Sequence, residues 1–221
     1  MSREMDFTFV ESKRDPGRDC FVYTAHSDLD MLSIESLRGR RLRDRFGLTS
    51  AGSARDTFAA HTTHMLVMVE GELVACAELV AYSPLGLPLT EWPELQSVLR
   101  HSRRLVQCRR PVVRPEFAEA PLPELPFGAL GGLFKGSLQW AVSHDVSDVV
   151  VELADRRATD RLAEIGFLPL EGSGTPDGPL TYRLNVSRLV ARGFRAGHPF
   201  YRYLLEYDES VLVGNSATAV A

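Results

Sequence analysis

Two glutamates interrupt apolar stretches that are predicted to be strands. Glu152 lies in VVVELA and Glu78 lies in CAELV. A carboxyl group buried in apolar surroundings has a raised pKa, which suits it to accept a proton during catalysis. Each glutamate could instead be a strand-end carboxylate that pairs with an arginine, Arg156 or Arg161 for Glu152. We take Glu152 as the first candidate for a general base and Glu78 as the second.

The segment from Leu95 to Pro115 contains six arginines and no acidic residue. A guanidinium group matches the geometry of phosphate and carboxylate, so the segment indicates an anion site or an acidic partner. The alternative is a solvated positive face. On a regular strand Arg109 and Arg110 point to opposite faces, and only one of them would reach a ligand. The six are Arg100, Arg103, Arg104, Arg109, Arg110 and Arg114.

Three other residues could carry chemistry. His61 and His64 are spaced i, i+3, but they stand where a loop becomes a strand, and that spacing does not put them on one face of a strand. No third ligand is evident, so no metal site is predicted. Cys108 could be an acyl-accepting nucleophile whose pKa the neighbouring arginines lower, or a small core residue.

The first half of the chain must supply a strand, a helix and a hairpin. Residues 19–25 are predicted to be a strand, and Ser27 or Asp28 caps a helix that ends near Phe46. Its apolar positions are Met31, Leu32, Ile34, Leu37 and Leu42. Residues 64–69 and 72–80 form a hairpin around Glu70-Gly71. Residues 81–104 are interpreted as an insertion with a short helix near 90–102.

The second half continues with alternating strands and helices. Residues 105–114 are a strand that Pro111 interrupts, because proline cannot donate to a β-ladder. A helix is predicted from about Gly128 to His144, with glycines that indicate the close approach of a ligand or a strand. The remaining elements are a strand at 148–154, a helix at 156–165, and strands at 179–185 and 200–207 joined by a basic loop.

This order of elements resembles that of the GNAT acyltransferase superfamily, and DVVVELADRRATDRLAEIGFLPL is similar to the second half of its fold. Three stretches resemble the branch that contains the N-acyl amino acid synthases and acyl-homoserine-lactone synthases: SLRGRRLRDRFG, Asp56 with HMLVMVEGELVACAEL, and QCRRPVVRPEF. The resemblance covers about residues 20–185. It implies an α/β fold with a mixed central sheet, a splayed strand and helices on both faces.

The resemblance also implies an activity and a set of site residues. The expected function is N-acyl transfer from a thioester to an amine or amino acid, and the alternative is a non-catalytic module that binds an acyl thioester or its carrier. Arg110 matches the arginine of the branch, which puts Gln107 where its glutamate usually stands. In GNAT proteins a backbone N–H of the splayed strand holds the thioester carbonyl. Pro111 predicts such a break near Val112 and Val113.

GNAT proteins follow that strand with Arg/Gln-x-x-Gly-x-Gly/Ala, whose N–H groups hold the pyrophosphate of coenzyme A. Here the chain reads RPEFAEAPLPELPFGALGG, so the candidates for this contact are Arg114, Gly128 and Gly131. The weakened motif favours an acyl carrier protein over coenzyme A as donor, and an acidic carrier suits the arginine segment. No tightly bound cofactor is expected, because the acyl thioester is a co-substrate. The acceptor is a small-molecule amine.

Composition limits the class of protein. The 221 residues are 44% hydrophobic and carry a net charge of −4, which predicts one domain over 1–221 and no bulk affinity for nucleic acid. Its core is expected at about 19–207, with a tail at 208–221. No apolar run is long enough for a membrane span, and no signal peptide is recognised. The three separated cysteines indicate a reducing, cytoplasmic location.

Overall fold

A computed structural model provides the fold. It describes residues 20–46, 56–88, 98, 102, 104–122, 124–153, 163, 165–170, 180–195, 197, 199–206 and 211–212. The predicted helix near 90–102 lies outside these residues except for Val98 and Ser102. The predicted helix at 156–165 also lies outside them, except for Ala163 and Ile165, which are helical.

Eight strands of the described chain form one sheet in the order β6-β7-β5-β4-β3-β2-β1-β8. The β4–β5 and β1–β8 pairs are parallel and the other pairs are antiparallel, so the predicted mixed sheet is confirmed. The strands are β1 (Cys20–Thr24), β2 (Thr62–Val69), β3 (Glu72–Ala81), β4 (Leu105–Val113), β5 (Asp148–Leu153), β6 (Leu168–Pro169), β7 (Leu180–Asn185) and β8 (Val211–Leu212).

Helices cover both faces of this sheet. Helix α1 (Asp28–Phe46) packs Ile34 and Leu37 against Leu66 of β2, whereas α2 (Gly128–Ser143) contacts Met65 of the same strand. Neighbouring residues of a strand point to opposite faces, so the two helices lie on opposite sides of the sheet. Two further helices, α3 (Val186–Arg195) and α4 (Pro199–Leu205), share the main core with α2. The predicted architecture is therefore confirmed.

Helix α1 begins with a capping box. The Ser27 hydroxyl accepts the N–H of Asp30, and the Asp30 carboxylate accepts the N–H groups of His26 and Ser27. Tyr23 of β1 donates its hydroxyl to the same carboxylate at 2.8 Å, which ties the helix to the sheet. The predicted helix is confirmed, but its apolar stripe is narrower than predicted, because Met31 and Leu32 are exposed.

The glycines of α2 have a packing role. A Cβ on Gly136 would lie 2.5 Å from Val22 Cγ1, and one on Gly132 would lie 3.3 Å from Val22 Cγ2. These two glycines therefore let the helix axis approach β1 closely. Of the two causes considered from the sequence, the approach of a strand accounts for them.

The predicted strand at 200–207 is wrong, because Pro199–Leu205 is helix α4. Aromatic residues have a high β-propensity, but burial of Tyr201 and Leu204 follows the i, i+3 spacing of a helix. The predicted basic loop before it is helix α3, which buries Val186 and Leu189 and is capped by the Asn185 side chain accepting the Arg188 N–H. Within the predicted tail, Val211–Leu212 pair with β1 as β8.

Candidate functional site

Strand β4 carries a bulge at its midpoint. Cys76 of β3 pairs with Val112 and Glu78 pairs with Arg109, so two residues of β4, Arg110 and Pro111, stand opposite one residue of β3. Arg110 has a φ of 48°, in the left-handed region that only a few non-glycine residues adopt. The break predicted from Pro111 is therefore present.

The bulge corrects the expectation for the two arginines. Arg109 donates to Asp56 and Arg110 lies 3.4 Å from the same carboxylate, so both guanidinium groups reach one side of the sheet. The extra residue rotates the strand, which removes the strict alternation of a regular ladder. Arg109 is mostly buried, whereas the Arg110 side chain is 56% exposed.

Strands β4 and β5 separate beyond this point. Their parallel ladder runs from Leu105 to Cys108 on β4 and stops, while β5 stays paired with β7 as far as Leu153. The N–H of Arg114 donates to the Val74 carbonyl of β3 at 2.9 Å. Since successive N–H groups of a strand point to opposite sides, the Val113 N–H is directed towards the side that β5 has left.

A buried carboxylate organises the side chains beside the gap where β4 and β5 separate, which we call the splay. Glu78 is only 2% exposed, and its oxygens lie 2.8 Å from Arg38 Nη1 of α1, 2.5 Å from Arg109 Nε and 3.6 Å from Arg110 Nη1. Three guanidinium groups offset the cost of burying one charge. Both oxygens of Glu78 are thereby engaged, which favours a role in positioning the arginines.

Asp56 closes this cluster from the loop before β2. Burial raises its pKa, but hydrogen bonds from the Phe58 N–H and from Arg109 outweigh burial, so the pKa of Asp56 is lowered. Arg38, Arg109 and Arg110 face Glu78 and Asp56, so the Glu78 cluster, as we call these five residues, has one positive charge in excess.

His64 is a site residue that sequence reasoning considered only as a metal ligand. It pairs with Glu78 across the β2–β3 ladder, at the edge of the Glu78 cluster. Burial, with a contribution from the Arg38 and Arg109 charges, lowers the pKa of His64 although Glu78 and Asp56 oppose the change. The imidazole is therefore neutral near pH 7. A regular hairpin around Glu70-Gly71 would pair His64 with Ala77, and the register shift between Val67 and Met68 brings it opposite Glu78 instead, so this position could not be predicted from the sequence.

The three predicted catalytic residues lie on one face of three adjacent strands. Glu78 of β3 is in register with Arg109, and Gln107 of β4 is in register with Val150 of β5. Alternation along β5 puts Glu152 on the same face as Val150, beyond the last paired residues of the β4–β5 ladder. Glu152 is half-buried and stands opposite Thr181 of β7.

Several buried polar atoms in this region make no hydrogen bond within the described chain. They include Oε1 of Gln107, whose side chain is 2% exposed, and Nε and Nη2 of Arg38. Native proteins rarely leave buried polar atoms unsatisfied, so such atoms indicate a site that a ligand or water completes. An acceptor atom on Gln107 and donor atoms on Arg38 could bind an amine and a carboxylate.

The start of α2 has no open N–H groups at the positions predicted to bind phosphate. Gly128 donates to the Leu125 carbonyl at 2.8 Å, Leu130 to Ala118 at 3.2 Å and Gly131 to Phe127 at 3.2 Å. Gly128 has a φ of 68°, and a Cβ there would lie 2.6 Å from the Ala118 oxygen. The preceding loop therefore fills the place of the anion.

The arginine segment is not a continuous positive surface in the described chain. Arg114 pairs with Glu72 at 2.5 Å and with Glu116 at 2.7 Å, and Arg104 donates to the His144 carbonyl at the other end of β4. The sequence showed no acid within the segment, but acids from β3 and from the following loop meet its arginines in space. Arg100 and Arg103 lie outside the described residues.

Cys108 and the histidines do not form a reactive centre. Burial and the Glu78 charge raise the pKa of Cys108 to about 12, so of the two alternatives for Cys108 the small core residue is favoured over the nucleophile. In the described residues, no group of three or more His, Cys, Asp or Glu side chains is arranged to hold a metal ion. None of the described helices is long and apolar enough to cross a membrane.

Solved structures resemble this chain in fold. FeeM, an N-acyl amino acid synthase from uncultured soil microbes, matches with a TM-score of 0.61 and 15% identity over 78% of this chain and 94% of that one. BjaI, a CoA-dependent acyl-homoserine lactone synthase, matches with a TM-score of 0.51 and 15% identity over 81% of this chain and 90% of that one. Agmatine N-acetyltransferase matches with a TM-score of 0.50 and 12% identity over 76% of this chain and 100% of that one. No protein-family profile and no curated protein matches the sequence. The chain has the GNAT fold.

Proposed function

From this GNAT fold and its site we propose that the chain is an N-acyltransferase. It moves an acyl group from a thioester donor to the amine of an amino acid or a related small molecule. The observation that carries the proposal is the break in β4: the strand bulges at Arg110 and leaves β5 beside a row of buried polar side chains. Fold alone does not specify activity, so the argument rests on these residues.

The splay is proposed to hold the donor. A thioester carbonyl that enters between β4 and β5 meets the Val113 N–H, which is directed into the gap. Attack by an amine turns that carbonyl oxygen into an oxyanion, and a fixed backbone donor stabilises the charge as it develops. Val112 contributes to the α1 face of the site, where it packs against the cluster that holds Ile34.

The row of polar side chains is proposed to hold the acceptor. The unpaired Gln107 Oε1 suits an amine N–H, and the unpaired Arg38 nitrogens suit a carboxylate. The excess positive charge of the Glu78 cluster also favours an anionic acceptor. These features together favour an amino acid over a simple amine.

Glu152 is proposed as the base. It lies on the same face as Gln107, beyond the end of the β4–β5 ladder, and is half-buried. It takes a proton from the amine nitrogen as the new N–C bond forms. When the C–S bond breaks, the proton returns to the leaving thiolate, so the products are an amide and a free thiol.

The donor is proposed to be an acyl carrier protein in preference to coenzyme A. The N–H groups of Gly128, Leu130 and Gly131 at the start of α2 are already bonded to carbonyls of the preceding segment, which disfavours binding of a pyrophosphate there. BjaI is described as CoA-dependent, which makes coenzyme A the natural competitor in any test. Either donor presents the same thioester to the splay.

One observation favours a second function, a non-catalytic module that binds acyl thioesters. Gln107 stands at the position expected for a glutamate, and both oxygens of Glu78 are occupied by arginines. If Glu152 does not act as the base, the site can hold a thioester without transferring its acyl group.

Thiol release separates the two functions. The full chain is incubated with acyl thioesters of carrier protein, coenzyme A and pantetheine, with and without a mixture of amino acids, and the amides are identified by mass spectrometry. Acyl transfer predicts thiol release that requires the amino acid and that Glu152→Gln suppresses. Exposed Glu35→Gln serves as the control. Thioester binding without release supports the binding module, and release without amide contradicts the proposal.

A further inference from the structure

A cavity lies at the β6–β7 end of the sheet, on the other side of β5 from the splay. Strands β6 and β7, the turn before β6 and helix α3 surround a space of about 830 Å³. This volume lies in the range of about 300–1,000 Å³ that is typical of small-molecule sites. None of its lining residues belongs to the Glu78 cluster or to the residues proposed for acyl transfer.

Three arginines line this cavity, and none of the lining residues that the structure describes is acidic. Arg183 uses its Nε for a 2.8 Å bond to Asp148, which leaves its two Nη groups directed elsewhere. Arg188 and Arg192 contact no carboxylate in the described chain. They are spaced i, i+4 on α3, so their charges repel each other unless an anion lies between them.

The arginines are held in place by the fold. Asn185 caps α3 by accepting the Arg188 N–H at 3.0 Å, so Arg188 lies in the first turn of the helix, where the helix dipole also favours an anion. Arg192 lies over the Tyr201 ring, 5.7 Å from its centroid. Gly166, with a φ of 105°, brings the turn before β6 close to Arg192.

The β6 wall of the cavity is apolar. It contains Leu168, Pro169 and Leu170, and Leu168 of the edge strand β6 is 62% exposed. An exposed aliphatic side chain close to Arg188 and Arg192, which contact no carboxylate among the described residues, fits a ligand with an apolar part and an anionic part.

We propose that this cavity binds a small amphiphilic anion, a carboxylate on an alkyl chain. The carboxylate lies between Arg188 and Arg192, and the chain packs on Leu168 and Leu170. A free fatty acid and an N-acyl amino acid both have this chemistry. The site is independent of acyl transfer, so it can be tested without turnover.

Calorimetry on the full chain tests the proposal with octanoate, octanol and inorganic phosphate. Octanoate is expected to bind about tenfold or more tightly than either partial ligand, because only octanoate uses both walls. The double variant Arg188→Gln with Arg192→Gln is expected to lose about tenfold in octanoate affinity. Arg202→Gln on α4 is the matched control, since Arg202 is exposed and paired with Glu206.

Leu168→Ser is a second variant, and it should fold because Leu168 is exposed. It is expected to weaken octanoate binding without changing phosphate binding. Competition between octanoate and N-octanoylglycine shows whether the cavity prefers a free fatty acid or an N-acyl amino acid. Equal octanoate affinity in the wild type and in both variants overturns the proposal, as does equal binding of octanoate and octanol. Either result leaves the acyl-transfer proposal untouched, because thiol release is measured separately.

Discussion

The two halves of strand β4 differ in how their backbone groups are paired. From Leu105 to Cys108 it is paired on both sides, and Leu105, Val106 and Gln107 are buried. From Arg109 to Val113 it is paired on one side only, and it bulges. The first half satisfies its backbone groups within the sheet. The second half has no strand on the β5 side of its Val113 N–H, and the Glu78 cluster contacts it through Arg109 and Arg110.

Removing the centre of that cluster should have the largest effect. Glu78→Ala leaves Arg38 without its carboxylate and Arg109 with Asp56 alone, and is expected to lower the free energy of unfolding by about 3–5 kcal/mol. Denaturant unfolding measures the change. Glu72→Ala, which breaks the exposed pair with Arg114, is the matched control and should cost about 0–1 kcal/mol. Equal losses in the two variants would mean that the second half of β4 does not depend on the cluster.

The second-largest effect is expected on the rate of acyl transfer, when the backbone N–H of Val113 is removed. Val113→Pro removes the N–H that is directed into the splay, and acyl transfer is expected to fall about 10²–10³-fold in kcat. Val113→Ala keeps the N–H and should retain most of the activity. A single-turnover assay with an acyl thioester measures both rates. If Val113→Pro stays active while its circular dichroism spectrum is unchanged, the thioester carbonyl is held by another group.

A prediction for the first half of β4 concerns Asp148, whose position on β5 is in register with Leu105. Burial raises the pKa of Asp148, but hydrogen bonds from Arg183, Ser102 and Ser147 outweigh it, and the pKa is lowered. Asp148→Asn is expected to cost about 1.5–3 kcal/mol of stability at pH 7. The control is Asp28→Asn, at the exposed start of α1.

The sign of the pH dependence follows from that lowered pKa. The carboxylate stabilises the fold fully above the ordinary aspartate pKa of about 4, and this stability is lost as pH falls through the lowered folded value. The free energy of unfolding of the wild type should therefore fall more steeply below about pH 4 than that of Asp148→Asn. Parallel pH profiles would show that Asp148 does not anchor this end of the sheet.

Local signals predicted most of the fold. Glu70-Gly71 marks the β2–β3 hairpin because both residues adopt a positive φ, 50° and 78°, as the tight turn requires. Pro111 marked the break in β4. The strand assignment at 200–207 was wrong because a short segment rich in aromatic residues suits a strand as well as a helix, and here Tyr201 and Leu204 pack with the i, i+3 spacing of a helix.

The site was only partly predictable, because its charges meet across long distances in sequence. Glu78 and Glu152 were found as polar residues in apolar strands, whereas Gln107 came only from the resemblance to the N-acyl amino acid synthase branch. Arg38 was part of a basic helix, and nothing local showed that it would reach Glu78, 40 residues later. The arginine segment was misjudged for the same reason, since its acids come from other elements. The bulge in β4 also changes which side of the sheet the following side chains point to. The alternation of residues along the sequence does not show this change.

The smallest effect is expected when the nucleotide of the donor is removed, because N–H groups at the start of α2 are already hydrogen-bonded. Because loop carbonyls accept the N–H groups of Gly128, Leu130 and Gly131, removing the nucleotide from the donor should cost little. Acyl-pantetheine and acyl-CoA are expected to have kcat/KM values within about threefold of each other. An acylated carrier protein should be used better than either, since its surface adds contacts outside the splay.

Gly128→Ala sharpens this last test. The new Cβ would meet the Ala118 oxygen at 2.6 Å, so the loop must move away from the helix start and free N–H groups for an anion. Gly71→Ala, at a φ of 78° with no atom within 4 Å, controls for backbone strain alone. The variant is expected to raise the preference for acyl-CoA over acyl-pantetheine, whereas the control should not. A wild-type preference for acyl-CoA of about a hundredfold would mean that the nucleotide is bound elsewhere on the chain, and that the closed helix start does not determine the donor.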